Sequence, residues 1–75
     1  MHISVKCYAT LKSYQPENSQ SFSLDDGATL SDLLGRLGLP SDEVKVAFVN
    51  GKHADRGRRL QDGDHVALFP AVGGG

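Results

Sequence analysis

One stretch restricts the possible folds more than any other. Leu30, Leu33, Leu34 and Leu37 fall at i, i+3, i+4 and i+7, which lines four leucines along one stripe of an α-helix. Both ends of the stripe are marked. Thr29 can cap the start, and Asp32 sits three residues on, close to a capping-box arrangement and against the positive end of the helix dipole. Gly38 is the expected left-handed terminator, and Pro40 keeps the helix from resuming. A chain of 75 residues shows no second helix to cover this stripe, so strands must do it. Domains near this size bury only ~60% of the surface that their unfolded chain exposes, which leaves a thin core and little room for an enclosed active site.

The strands are legible from alternation. Residues Ile3–Ala9 place Ile3, Val5, Cys7 and Ala9 on one side and Ser4, Lys6 and Tyr8 on the other, the period-2 pattern of a half-buried strand. Residues 13–20 are polar around Pro16 and predict a loop. Ser21–Leu24 predicts a second strand with Phe22 and Leu24 inward, and Asp25-Asp26-Gly27 turns the chain. Val44–Val49 is rich in β-branched residues and predicts a third strand. Asn50-Gly51 follows it, and both residues tolerate the positive φ of a type I′ hairpin turn. A short strand near Lys52-His53-Ala54 comes next, then a polar connection over 55–64 with Leu60 anchored in the core. The last strand, His65–Phe69, turns Val66 and Leu68 inward and Ala67 and Phe69 outward, and Pro70 ends pairing by removing a donor. The expected fold class is α+β: a mixed sheet of four to five strands with one helix packed across one face. One domain, residues 1–70, should carry a separate tail, residues 71–75.

That tail, Ala71-Val72-Gly73-Gly74-Gly75, has no charged or bulky side chain near its end. It should behave as a thread, and the six residues after Phe69 could span on the order of 20 Å. Without Cβ atoms on Gly73, Gly74 and Gly75, such a thread suits a narrow slot on another protein. A frayed terminus or a cloning remnant would have the same composition.

Composition narrows the function. Eight basic and nine acidic residues leave a formal charge of −1, which argues for neither nucleic acid nor an anionic membrane. No apolar run approaches a transmembrane span, and Met1–Lys6 lacks the basic lead and apolar block of a signal peptide. A cytoplasmic protein is expected, in keeping with a single cysteine. Cys7 lies in the inward register and reads as a small buried hydrophobe. His2, His53 and His65 show no ligand spacing, so no metal site is expected. Asp25, Asp26, Asp62 and Asp64 read as turn residues beside glycines. Lys52, Arg56, Arg58 and Arg59 read as a solvated loop, or as a docking patch for an acidic partner. Tyr8 and Phe69 both fall outward on strands that should be neighbours, and paired aromatics beside a free tail suggest a protein interface.

Four stretches together resemble one family. Val5-Lys6-Cys7-Tyr8-Ala9-Thr10-Leu11, Asp26-Gly27-Ala28-Thr29-Leu30, Val49-Asn50-Gly51, and the close from Leu60-Gln61-Asp62-Gly63-Asp64 to Phe69-Pro70-Ala71-Val72-Gly73-Gly74-Gly75 are similar to the MoaD/ThiS sulfur carriers. The resemblance covers nearly the whole chain, and its Asp-Gly-Asp to Gly-Gly end is the most specific part. It implies a ubiquitin-like β-grasp fold and a carrier that is not itself an enzyme. Gly75 would be the adenylation and thiocarboxylate site. Tyr8, Phe69, Pro70, Val72, Gly73 and Gly74 would meet the partners. The chain would bind no cofactor, ATP being used by an E1-like adenylating enzyme. Sulfur would pass to a synthase, either the molybdopterin synthase large subunit or thiazole synthase. Phe-Pro-Ala-Val before the glycines looks closer to the molybdopterin-synthase small subunit, whereas Gly73 and Ala71 depart from the usual pattern and leave the thiamine pathway open. Two further readings share the fold: a ubiquitin-like modifier joined to lysines through Gly75, and an interaction module with an inert tail.

Overall fold

The computed structural model describes residues 1–71 of the chain. Five strands and one α-helix build it: β1 (His2–Cys7), β2 (Phe22–Ser23), α1 (Leu30–Leu37), β3 (Val44–Val49), β4 (Lys52–His53) and β5 (His65–Pro70). They form a mixed sheet in the order β2-β1-β5-β3-β4. The first and last strands, β1 and β5, run parallel at its centre, and every other pairing is antiparallel. Alternation along each strand does the sorting. Ile3, Val5, Cys7, Ala47, Val49, Val66 and Leu68 are buried, and they share one core with Leu30, Leu33 and Leu34 of the helix. Among the described residues, no helix is long and apolar enough to cross a membrane.

The helix begins and ends where its caps dictate. Asp32 N–H donates to Thr29 Oγ1 at 3.2 Å, and Thr29 N–H donates to Asp32 Oδ2 at 2.8 Å, a reciprocal capping box. At the other end Gly38 adopts φ +70°. Its N–H donates to the Gly35 carbonyl, and Leu39 N–H donates to the Leu34 carbonyl at 2.9 Å, which is a Schellman closure. Asn50 (φ +54°) and Gly51 (φ +80°) supply the two positive-φ residues of the β3–β4 hairpin.

Three local features differ from the alternation pattern. Ala9 is exposed rather than inward, because β1 stops at Cys7 and Ala9, at φ +52°, opens a 3₁₀ helix over Ala9–Tyr14. That turn drives Leu11 into the core, where it is 1% exposed. In β3 the register against β5 shifts between Val44 and Val46, a bulge with Lys45 as the extra residue. The bulge lets Val44 face the core while Val46 and Phe48 face out. Pro70 does not lie beyond the ladder but is its last member, opposite Val44.

Candidate functional site

The helix covers one face of the sheet, so the other face is where β1, β5 and β3 present side chains outward. The register builds that face in rows. Ser4 stands opposite His65; Lys6, Ala67, Phe48 and His53 form a second row; Phe69 pairs with Val46 in a third. Tyr8 joins the third row because its N–H donates to the Leu68 carbonyl at 3.0 Å, which extends the β1–β5 pairing by one step.

The two aromatics expected at this interface are brought together. Tyr8 and Phe69 stack with ring centroids 4.4 Å apart and planes 7° from parallel. Phe48 closes on Phe69 edge to face, with centroids 5.7 Å apart at 89°, and His53 meets Phe48 in the same manner at 6.0 Å and 83°. Phe69 is therefore held on two sides, one residue before Pro70. The Lys6 ammonium lies 5.4 Å from the Tyr8 ring centroid, within cation–π range. Ser4 Oγ and His65 Nδ1 are 2.6 Å apart. Ser4, Lys6, Tyr8, Phe48, His65 and Phe69 line a shallow depression of about 480 Å³. Sequence reasoning named Tyr8 and Phe69 but not Phe48. Its signal was present, since Phe48 sits out of phase with the buried Ala47 and Val49.

The strand that ends in this face is pinned at its start by a polar staple. Asp64 is a buried carboxylate, 6% exposed, rather than a simple turn residue. It accepts hydrogen bonds from Asn50 Nδ2 (2.9 Å) and Gln61 N–H (2.8 Å), while His65 N–H donates to Asn50 Oδ1 (2.9 Å). Asp62 Oδ1 accepts from His2 N–H at 2.8 Å, and Gly63 N–H donates to the His2 carbonyl at 2.8 Å. The Asp62-Gly63-Asp64 turn thus ties β5 to both of its neighbours.

Other candidate groups have structural partners. Burial makes Cys7 inaccessible and pushes its thiol pKa up, so the reactive thiolate is disfavoured. Arg56 donates through Nε to Ser41 Oγ (2.7 Å) and through Nη2 to the carbonyls of Ser41 (2.8 Å) and Val44 (2.6 Å). It locks the start of β3 and leaves the set of Lys52, Arg58 and Arg59. The carbonyls of Arg56 and Arg58 accept from Ser31 and Leu30 N–H at 2.9 Å, filling the helix N-terminus. Tyr14 OH donates to Glu43 Oε2 at 3.2 Å, and the neighbouring carboxylate raises the phenol pKa. Among the described residues, no group of three His, Cys, Asp or Glu side chains could hold a metal ion. Pro70 and the exposed Ala71 lead out of β5; Val72, Gly73, Gly74 and Gly75 lie outside the described residues.

A five-stranded mixed sheet with parallel terminal strands at its centre and one helix across it is the ubiquitin-like β-grasp fold. Small archaeal modifier protein 1 (SAMP1) of Haloferax volcanii is similar over 100% of both chains, with 27% identity and a TM-score of 0.73. A second Haloferax volcanii protein, HVO 2177, is 28% identical over 100% of this chain and 87% of its own, with a TM-score of 0.77. A Pyrococcus furiosus protein described as molybdopterin converting factor subunit 1 shares the fold at a TM-score of 0.73, with 23% identity over 96% of this chain and 99% of that one. No curated protein sequence matches the chain. The ThiS family matches residues 5–75, and the chain belongs to that family. It is thus a protein of the ThiS/MoaD sulfur-carrier or ubiquitin-like modifier type. Members are small carrier proteins that act with E1-like activating enzymes and sulfur-accepting synthases.

Proposed function

We propose that this chain carries sulfur on the carboxyl group of Gly75. One observation supports this above the others: the family match runs through to residue 75 and so includes the three glycines. The chemistry follows from the state of a chain end. A free α-carboxyl has a pKa of ~3.3–3.7 and is an unreactive carboxylate at neutral pH. An E1-like enzyme lets one carboxylate oxygen attack the α-phosphate of ATP, forming the acyl adenylate and releasing pyrophosphate. Hydrosulfide then attacks the acyl carbon. AMP leaves with the bonding electrons, the sulfur loses its proton, and a thiocarboxylate remains. This chain contributes no catalytic group to either step; it works in the cytoplasm as a non-catalytic carrier or small subunit. Tyr8, Phe69 and Pro70 dock it, and Val72, Gly73 and Gly74 thread the partner's slot.

The stretch Phe69-Pro70-Ala71-Val72 favours delivery to the synthase that makes molybdopterin, for a molybdenum or tungsten cofactor, over the thiazole synthase of thiamine formation. The likeness to SAMP1, at 27% identity, supports a second use of the same activated terminus, in which a lysine amine rather than sulfur displaces AMP. The test is to incubate the chain with its adenylating enzyme, ATP and a sulfur donor and to record the intact mass. Exchange of one oxygen for sulfur is expected. An unchanged mass, under conditions in which the enzyme loads a known carrier, overturns the proposal; recovery of Gly75-to-lysine conjugates from cells would establish the modifier use.

A further inference from the structure

The hairpin pair Asn50-Gly51 does more than turn the chain from β3 to β4. The Asn50 side chain also bridges to the start of β5. Its Nδ2 donates to Asp64 Oδ1 at 2.9 Å, and its Oδ1 accepts from His65 N–H at 2.9 Å. The backbone adds a third tie, since Asn50 N–H donates to the His65 carbonyl at 2.8 Å. Both Asn50 and Gly51 are nevertheless exposed to water.

The same pair is chemically labile. Gly51 has no Cβ, so little hinders its backbone nitrogen from reaching the Asn50 side chain. That nitrogen attacks Asn50 Cγ, the Cγ–Nδ2 bond breaks, and ammonia leaves with the proton that the Gly51 nitrogen gives up. Water then opens the five-membered imide at either carbonyl and leaves an aspartyl or isoaspartyl residue at position 50. No oxidant, metal or enzyme enters the balance. In the folded chain both substituents of Cγ are held on β5 and the turn before it, so attack waits for those two bonds to open.

Conversion would change the staple itself. One oxygen of the new carboxylate still accepts from His65 N–H. The other replaces a donor with an acceptor at the position 2.9 Å from Asp64 Oδ1. Two carboxylates that close cannot both ionise without cost. Among the described residues, no Lys, Arg or His nitrogen lies within 4 Å of the Asp64 carboxylate to offset a second charge. His65 turns Nδ1 to Ser4 Oγ, Asp62 accepts from His2 N–H, and Lys52 and His53 belong to β4 across the hairpin.

We propose that Asn50 is a deamidation site which folding holds closed, and that its conversion unpins the start of β5 by setting a second carboxylate against Asp64. The damage then accumulates in chains that have opened. It concerns the folded body alone and is independent of what Gly75 carries.

The test has two arms. In the first, the full chain is incubated at mildly alkaline pH, folded or in guanidinium chloride, and conversion at each asparagine is read by peptide mapping. Position 50 should convert at least about tenfold more slowly in the folded chain, because reaction there waits on local opening. Asn18, exposed in the loop before β2, is the internal reference and should change little. In the second arm, Asn50→Asp and Asn50→Ala are melted across a pH series. Asn50→Asp should melt at least about 4–8 °C below the parent near neutral pH. One carboxyl of the new pair has its folded-state pKa raised above the unfolded value. The deficit is therefore full at neutral pH and fades as pH falls through that raised pKa. Asn50→Ala loses the amide without gaining a charge, so its deficit should vary far less with pH. Three results overturn the proposal: equal conversion of position 50 in the folded and unfolded chain, parent-like melting of Asn50→Asp near neutral pH, or a deficit in Asn50→Asp that follows Asn50→Ala at every pH.

Discussion

Phe69 shows how a half-exposed residue can be both ordered and available. Tyr8 stacks flat against it at 4.4 Å and Phe48 meets it edge-on at 5.7 Å, so its ring has few conformations left to lose on binding. Aromatic pairs of this geometry contribute about 0.5–1.5 kcal/mol each beyond the area they bury. Phe69→Ala should therefore lower stability modestly. It should weaken partner binding by roughly 1–3 kcal/mol, the range for truncating an interface anchor. Thermal melts and a binding titration of the same variant separate the two effects. A large stability loss with unchanged affinity would make the ring a core residue and nothing more.

At the scale of elements, the helix and the hairpin were legible because their signals are local. Thr29 with Asp32, Gly38 and Asn50-Gly51 each act within a few residues, and the structure uses all of them. What escaped the sequence depends on partners distant along the chain. Ala9–Tyr14 forms a 3₁₀ helix, an element too short to leave a periodic pattern; burial of Leu11 and the Tyr8–Leu68 bond hold it. The Lys45 bulge leaves no residue signature, yet it decides which valines face the core. Asp64 looked like a turn aspartate, whereas its bond to Asn50 spans 14 positions and joins the hairpin to β5. Of the site, Tyr8, Phe69 and Pro70 are now placed, while the stretch over 72–75 lies outside the described residues. The staple gives a sharp expectation. Asp64→Ala removes two partly buried hydrogen bonds to a carboxylate, from Asn50 Nδ2 and Gln61 N–H, and a hydrogen bond to a charged group contributes about 1.5–3 kcal/mol. Urea unfolding should show a loss in that range or above it; stability within a few tenths of the parent would mean that water replaces the carboxylate freely.

For the whole molecule, the arrangement puts the root of the tail on the best-supported strand. β5 lies between β1 and β3, tied to both along its length, so Pro70, its last residue, has a fixed position. Under the proposed carrier function such a body is a handle and an address, and the reacting carbon belongs to a residue five positions beyond Pro70, a fixed length of chain. That length gives the most direct measurement of Gly75 as the sulfur-accepting residue: the rate of thiocarboxylate formation in the parent chain against the chain lacking Gly75. The shortened chain still ends in two glycines and keeps the folded body. Removing one residue withdraws the terminal carbon by about 3.3 Å, and misplacement on the order of 1 Å can cost ~100-fold in rate. The expected result is a folded, partner-binding protein that is loaded at least ~100-fold more slowly. Near-parent loading of the shortened chain would contradict Gly75 as the required terminus and reduce the third glycine to a spacer.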